Sequence, residues 1–308
     1  MPENEKLKEV QAVFRGTDTM DGAGVRLRRI FGGYSTASIT DPFLLLDHFG
    51  SSKKEEYIRG FPWHPHRGIE TITYIMDGKV THEDSEGNRG TIYPNDLQWM
   101  SSGSGIYHQE MPKPIEKTDP REAILSSGMP ESSVGLQLWL NIPAEKKMKK
   151  PSYMDIKGRN VGIINNGDGT KVKLIAGRYG KDESDFKGDP MIDPHYMDII
   201  LEPEAEFKYR VPDGYNTILY TMAGSLSVFP QKTNFSMGDA IVFSMDGNTV
   251  KLVSSESGAR FILLAGRPLR EPVHWYGPIV MNSQDQLNEA FRDLQNGTFI
   301  RDKNPVFQ

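Results

Sequence analysis

"FPWHPHRGIETITYIMDG", residues 61–78, sets two histidines one residue apart ahead of a stretch that reads as a β-strand ending at a glycine turn. Within it, TITYIMDG (71–78) has a counterpart in TILYTMAG (217–224), where Thr, Ile, Tyr, Met and Gly match at a constant offset of 146. Downstream, PNDLQWMS (94–101) lines up with MGDAIVFS (237–244) at an offset shortened to 143. Two halves that each carry a strand, a glycine turn and a returning strand describe a duplicated antiparallel barrel.

The rest of the chain has the same texture. VRLRRIF, PFLLLDHF, VGLQLWLNI, KVKLIAG, YMDIILEP, VKLVSS and ARFILLAG are short alternating or apolar runs, nearly all bounded by Gly, Pro, Asn or Asp. Such punctuation predicts an all-β sandwich or small barrel, not a βαβ fold. At 308 residues the chain has room for two domains of about 150. NIPAEKKMKKPSYMDIKGRN (141–160) lacks sustained periodicity and reads as a solvated, lysine-rich linker. The expected division is therefore 1–145, a linker at 146–160, and 161–308. A single helix is expected near the C-terminus: Ser283 caps, Gln286 follows as in a capping box, Leu287, Ala290, Phe291 and Leu294 share a face, and Gly297 stops it.

Composition narrows the chemistry. A net charge of −5 and a pI near 5.9 supply no basic footprint for nucleic acid. With no cysteine, disulfides, thiolate zinc sites and iron–sulfur clusters are excluded, so any metal must be held by nitrogen and oxygen. The opening MPENEKLKEVQAVFRG is charged where a signal peptide needs an apolar core, and no run approaches the roughly 18 apolar residues of a membrane span. A soluble, cytoplasmic protein is expected, with no membrane partner.

Successive side chains of a strand alternate faces, so His64 and His66 point the same way, and Glu70 shares their parity. SSGSGIYHQEMP (101–112) offers a second pair, His108 and Glu110, again two residues apart. Two strands with a pair each can build one four-ligand site. With seven histidines, a His-x-His pair arises by chance in about one such sequence in seven, so surface histidines are the competing reading. The repeat is an internal control. The same offsets put Arg210, Pro212 and Asn216 where His64, His66 and Glu70 stand, and Lys251 and Val253 where His108 and Glu110 stand. The C-terminal half has the barrel without the ligands.

Gly60 followed by H-x-H-x-x-x-E and a strand-ending glycine is similar to the first cupin motif, and GTIYPNDLQWMSSGSGIYHQE occupies the place of the second. More specifically, GFPWHPHRGIETITYIMDG, DLQWMSSGSGIYHQEMP, GLQLWLNIP and YGPIVMN with the following helix closely resemble the pirin family of bicupins, over nearly the whole chain. Asn95 and Asp96 depart from the glycine usual in the second motif. The resemblance implies an all-β protein of two tandem cupin jelly-roll barrels with a short C-terminal helix. It also implies a metal held by His64, His66, His108 and Glu110, with Glu70 as a support hydrogen-bonded to a ligand imidazole. Three imidazoles and a carboxylate suit a first-row transition ion. Iron is expected, with manganese, nickel, cobalt, copper and zinc as alternatives. The implied activity is that of a quercetin 2,3-dioxygenase acting on a flavonol and dioxygen, with Glu110 as the base and Phe61, Trp63 and Trp99 lining an apolar mouth. The competing expectation is an iron-binding regulator that acts through contact with a protein partner.

Overall fold

The computed structural model describes residues 5–116 and 131–301. It contains two compact units, each a jelly-roll barrel. One comprises Thr17–Ser38, Phe43–Asn160 and Glu271–Gln308, the other Met1–Gly16, Ile39–Pro42 and Val161–Arg270.

In the histidine-bearing unit a seven-stranded sheet runs in the order Ser152–Ile156, Leu97–Ser101, Ile69–Asp77, Ser133–Asn141, Phe43–Ser51, Val25–Gly32 and Thr17–Asp21. A four-stranded sheet runs Phe61–His66, Ile106–Lys113, Lys79–Asp84 and Arg89–Ile92. Leu27, Phe49 and Ile75 from the large sheet pack against Val80 and Ile92 from the small one, so the core lies between the two layers. The other unit repeats the large-sheet order with Val10–Arg15, Asp239–Phe243, Asn216–Phe229, Thr249–Gly266, His195–Leu201, Thr170–Ala176 and Gly162–Asn165. Its interior is filled by apolar side chains from Val172 to Ala265.

The glycine that ends each repeat motif is a corner: Ile69–Asp77 ends at Gly78, whereas Asn216–Phe229 runs on through Gly224. At Gly78 (φ 73°) and Gly224 (φ 68°) the chain passes from one pairing partner to the next. A Cβ would stand 2.7 Å from the Ser132 carbonyl oxygen at the first and 2.1 Å from that of Gly258 at the second.

The units are not consecutive in sequence, which corrects the expected division at 146–160. Val10–Arg15 is an edge strand of the second barrel, paired with Asp239–Phe243. The segment after residue 271 belongs to the histidine-bearing barrel, where Ile279, Met281, Leu287, Ala290 and Phe299 form one apolar cluster. Nor is 146–160 a solvated linker. Lys147 is buried and donates from Nζ to the Gly68 carbonyl (2.8 Å) and Asn141 Oδ1 (2.7 Å), and Ser152–Ile156 pairs with Leu97–Ser101.

The expected helix spans Gln284–Asn296; Ser283 Oγ accepts from Gln286 N (3.2 Å) and Gly297 closes it at φ 68°. A seven-residue helix, Tyr34–Thr40, was not anticipated. Among the described residues no helix is long and apolar enough to cross a membrane.

Candidate metal centre

Phe61–His66 pairs antiparallel with Ile106–Lys113, which sets His108 directly opposite His64 and Ile106 opposite His66. Directly opposite residues share a face, with Cβ atoms about 5 Å apart. Alternation along Ile106–Lys113 buries Ile106, His108, Glu110 and Pro112. Three imidazoles thus converge: His64 Nε2 lies 3.1 Å from His66 Nε2 and 2.9 Å from His108 Nε2. His66 and His108 are buried and His64 is half-buried.

The far nitrogens decide what these rings can bind. His64 Nδ1 is 2.8 Å from the Pro62 carbonyl oxygen, and His66 Nδ1 is 3.1 Å from that of Pro278. A carbonyl only accepts, so each Nδ1 carries the hydrogen and each Nε2 presents a lone pair. Burial lowers the pKa of all three histidines, that of His66 and His108 well below the ordinary value. The result is two neutral imidazoles whose lone pairs face each other at 3.1 Å with no proton between them. That arrangement is repulsive alone and attractive around a cation, and backbone carbonyls on the far nitrogens are a recurrent way of orienting metal-binding histidines. The donor set fits a divalent transition ion.

Glu110 lies on the same strand, but its carboxylate falls outside the group of ring nitrogens that approach one another within 4.8 Å. Its Oε1 accepts from Thr73 Oγ1 at 2.8 Å, and burial pushes its pKa up to about 7. His64, His66 and Glu110 open onto a cavity of about 670 Å³. Phe61, Trp63, Trp139 and Trp275 form aromatic walls, with Trp139 edge-on to His66 at 5.1 Å between ring centroids. Arg29 and Asp47 add a bidentate ion pair, with contacts of 2.9 and 2.8 Å.

Phe61 and Trp63 line this cavity, and Trp99 does not. Trp99 Nε1 donates to Glu70 Oε2 (2.9 Å), and Lys149 Nζ lies 3.1 Å from Glu70 Oε1. Glu70 and Trp99 occupy the face of the large sheet opposite Thr73, so Glu70 does not support a ligand imidazole; the carbonyls of Pro62 and Pro278 do. Shared parity misleads because it holds only within one strand. Between His66 and Glu70 the chain turns through Gly68 (φ 79°) and changes sheets, which resets the alternation.

The turn itself is clamped by the C-terminal segment. Arg67, 1% exposed, donates to the carbonyls of Ser104 (2.7 Å) and Phe299 (2.9 Å), pairs with Asp293 at 2.8 Å, and lies 4.2 Å over the Phe299 ring. Val280 N donates back to the Arg67 carbonyl at 3.1 Å. Sequence reasoning missed Thr73, Gln137, Arg29, Asp47, Trp139 and Trp275. Alternation in GLQLWLNI could have flagged Gln137 and Trp139 together, whereas a backbone carbonyl such as that of Pro278 leaves no trace in composition.

Strand pairing refines the internal control by one residue. His82 lies opposite Glu110, and Val228, 146 residues further on, lies opposite Leu252. Phe207 opposes Leu252 and Tyr209 opposes Val250, as Phe61 opposes Glu110 and His64 opposes His108. The second barrel thus sets Tyr209, Val250 and Leu252 at the positions of His64, His108 and Glu110. Arg210, Lys251 and Val253 point the other way. The conclusion survives the shift, because none of these three inward residues is an imidazole or a carboxylate.

Comparison with known proteins agrees with this architecture. The chain matches the family model Pirin over residues 24–140 and the Pirin C-terminal cupin domain over residues 196–300. A Thermoplasma acidophilum protein named "Putative quercetin 2,3-dioxygenase" is 44% identical over 269 residues, covering 84% of this chain and all of that one. Human pirin is 32% identical, covering 94% of this chain and 93% of its own. The crystal structure of quercetin 2,3-dioxygenase from Acinetobacter baumannii superposes with a TM-score of 0.83 at 28% identity, covering 96% of this chain and 99% of that one. With both barrels matched in order and relatives aligned over nearly their full length, the chain belongs to the pirin family.

Proposed function

We propose that the protein is a metal-dependent oxygenase that opens the central ring of a flavonol with dioxygen and releases carbon monoxide. The observation that carries this reading is the set of neutral imidazole lone pairs at the cavity, beside a carboxylate whose pKa is near 7. Support also comes from the quercetin 2,3-dioxygenase names of the Thermoplasma and Acinetobacter relatives. His64, His66 and His108 would hold one first-row ion, with iron as the proposed metal, and Glu110 would be its fourth protein ligand. Such an ion would supply Lewis acidity for the ring oxygen and redox chemistry for dioxygen.

The remaining tasks belong to the chain. A cavity of about 670 Å³ lies within the range typical of small-molecule sites, about 300–1,000 Å³. Phe61, Trp63, Trp139 and Trp275 offer flat faces to a planar substrate and keep water from it. Arg29 and Asp47 offer polar contacts for ring hydroxyls. A base works best with a pKa near the working pH, so Glu110 is suited to take the proton of the flavonol hydroxyl and later return it to the product. In the overall reaction both atoms of dioxygen enter the ring-opened ester, and the central carbon leaves with its own oxygen as carbon monoxide.

The test is to measure bound metal, flavonol loss and carbon monoxide release under oxygen for the wild type and for His108→Ala. Metal and turnover in the wild type with neither in the variant are expected. Metal without turnover across flavonols would overturn the enzyme reading and leave the regulator in its place. A wild type that cannot be loaded would overturn the metal centre as well.

A further inference from the structure

We propose that Thr73, held by Gln137, is the positioning residue that aims the Glu110 carboxylate at the metal centre; this rests on the reading of that centre given above. Thr73 lies directly opposite Gln98 on one neighbouring strand and Gln137 on the other, so the three side chains form a polar row across the inner face of the large sheet. Thr73 Oγ1 is 2.8 Å from Glu110 Oε1 and 2.6 Å from Gln137 Oε1. One hydroxyl hydrogen cannot serve two oxygens. With the Gln137 amide turned by half a rotation, its N–H donates to Thr73 and the Thr73 hydroxyl donates to Glu110, so every link has a donor. The Thr73 bond is the one hydrogen bond on the Glu110 carboxylate among the described residues. It fixes Oε1 and leaves Oε2 for the metal or the substrate hydroxyl.

The second barrel shows that the row is not a requirement of folding. Its counterparts keep the same register: Leu219 lies opposite Ile241 on one side and Leu263 on the other, all three buried in the core. Where Tyr209, Val250 and Leu252 stand in place of His64, His108 and Glu110, the row is apolar. In the histidine-bearing barrel it is polar, although Thr73 and Gln98 are buried and Gln98 Oε1 has no hydrogen-bond partner. Buried polar atoms disfavour folding unless they are paired, so a row retained at that cost opposite Glu110 points to work on Glu110.

The test loads the full-length protein with Co(II), reading affinity by chelator competition and ligand geometry from the visible absorption bands, alongside thermal melts of the metal-free forms. Thr73→Val keeps the shape and removes the hydroxyl. It is expected to lose about tenfold or more in Co(II) affinity and to shift the bands, with a fall in Tm of the metal-free form because Glu110 and Gln137 lose a buried partner. Thr73→Ser is expected to restore both readouts, and Gln137→Leu to show the same spectral change at smaller amplitude. Wild-type affinity and bands in both Thr73→Val and Gln137→Leu would overturn the inference, as would a Thr73→Ser no better than Thr73→Val. Absence of Co(II) uptake by the wild type would instead overturn the metal centre on which the inference stands.

Discussion

Gly68→Ala is expected to be among the most damaging single-methyl changes in the histidine-bearing barrel. Gly68 sits at φ 79°, where an L side chain costs about 1–2 kcal/mol. An added Cβ would also lie 2.0 Å from the Val280 carbonyl oxygen, far inside contact distance. Relieving that overlap means moving the Ile279–Met281 strand by about 1 Å or more. The movement strains the Val280 N–H bond to the Arg67 carbonyl (3.1 Å) and the His66 Nδ1 bond to Pro278 (3.1 Å), each worth about 1 kcal/mol. Together the terms come to about 3–4 kcal/mol, which for a unit of this size lowers Tm by about 10 °C. Gly297→Ala separates strain from overlap: φ is 68° there, but a Cβ would meet nothing within 4 Å, so only about 1–2 kcal/mol is expected. Scanning calorimetry of both variants, with metal affinity measured on each, is the assay. Gly68→Ala should fall well below Gly297→Ala in Tm and bind metal more weakly, since His66 loses its orienting carbonyl. Equal melting of the two, or undiminished metal affinity in Gly68→Ala, would refute the clamp.

Three further outcomes are expected. Glu110 has a folded-state pKa raised from 4.5 to about 7, so its contribution to metal-free stability is present at low pH and lost as pH rises across that window; the lowered histidines act in the opposite sense below 6.5. Urea unfolding in chelator at pH 5 and pH 7.5 should therefore show Glu110→Gln gaining on the wild type by about 2–3 kcal/mol as pH rises, and a constant difference would contradict the burial of that carboxylate. Asp293→Ala strips the buried Arg67 guanidinium of its carboxylate and should lower stability by about 2–3 kcal/mol, with weaker metal retention, by the same calorimetric and chelator assays. Trp99→Phe removes the N–H donated to Glu70 and should lower stability by about 1 kcal/mol while flavonol turnover per bound metal stays unchanged; a tenfold loss of turnover would mean that Glu70 reaches the centre after all.

The repeat was legible because its signal is local: TITYIMDG and TILYTMAG each hold most of a strand arm and its corner glycine within eight residues. The exchange of terminal segments was not legible. The pairing of Val10 with Phe243 joins residues more than two hundred apart, and an edge strand such as VQAVFR alternates in the same way whichever sheet it joins. The lysine-rich stretch at 146–150 misled for a related reason. A long aliphatic stem lets Lys147 bury itself and spend its ammonium on two internal oxygens, an outcome that depends on Gly68 and Asn141 being nearby.

In the site, what alternation could reach was read and what lay beyond one strand was not. His64, His66, His108 and Glu110 are two pairs within two strands, so period two alone placed each pair on one face. Glu70 required the period to survive Gly68, and the change of sheet there put it on the far side with Trp99. Once the two barrels are aligned by pairing, the difference between them is a substitution of inward positions at an unchanged register. Tyr209, Val250 and Leu252 stand for His64, His108 and Glu110, and Leu219, Ile241 and Leu263 stand for Thr73, Gln98 and Gln137. The frame is the same, so folding did not demand polarity at those positions. Apolar side chains are the more stable filling of these positions, and apart from Tyr209 the second barrel has them. That one barrel keeps six inward polar side chains where its twin keeps none but a tyrosine means that the cavity was retained for what it holds, and that Thr73 and Gln137 belong to the same functional unit as the histidines.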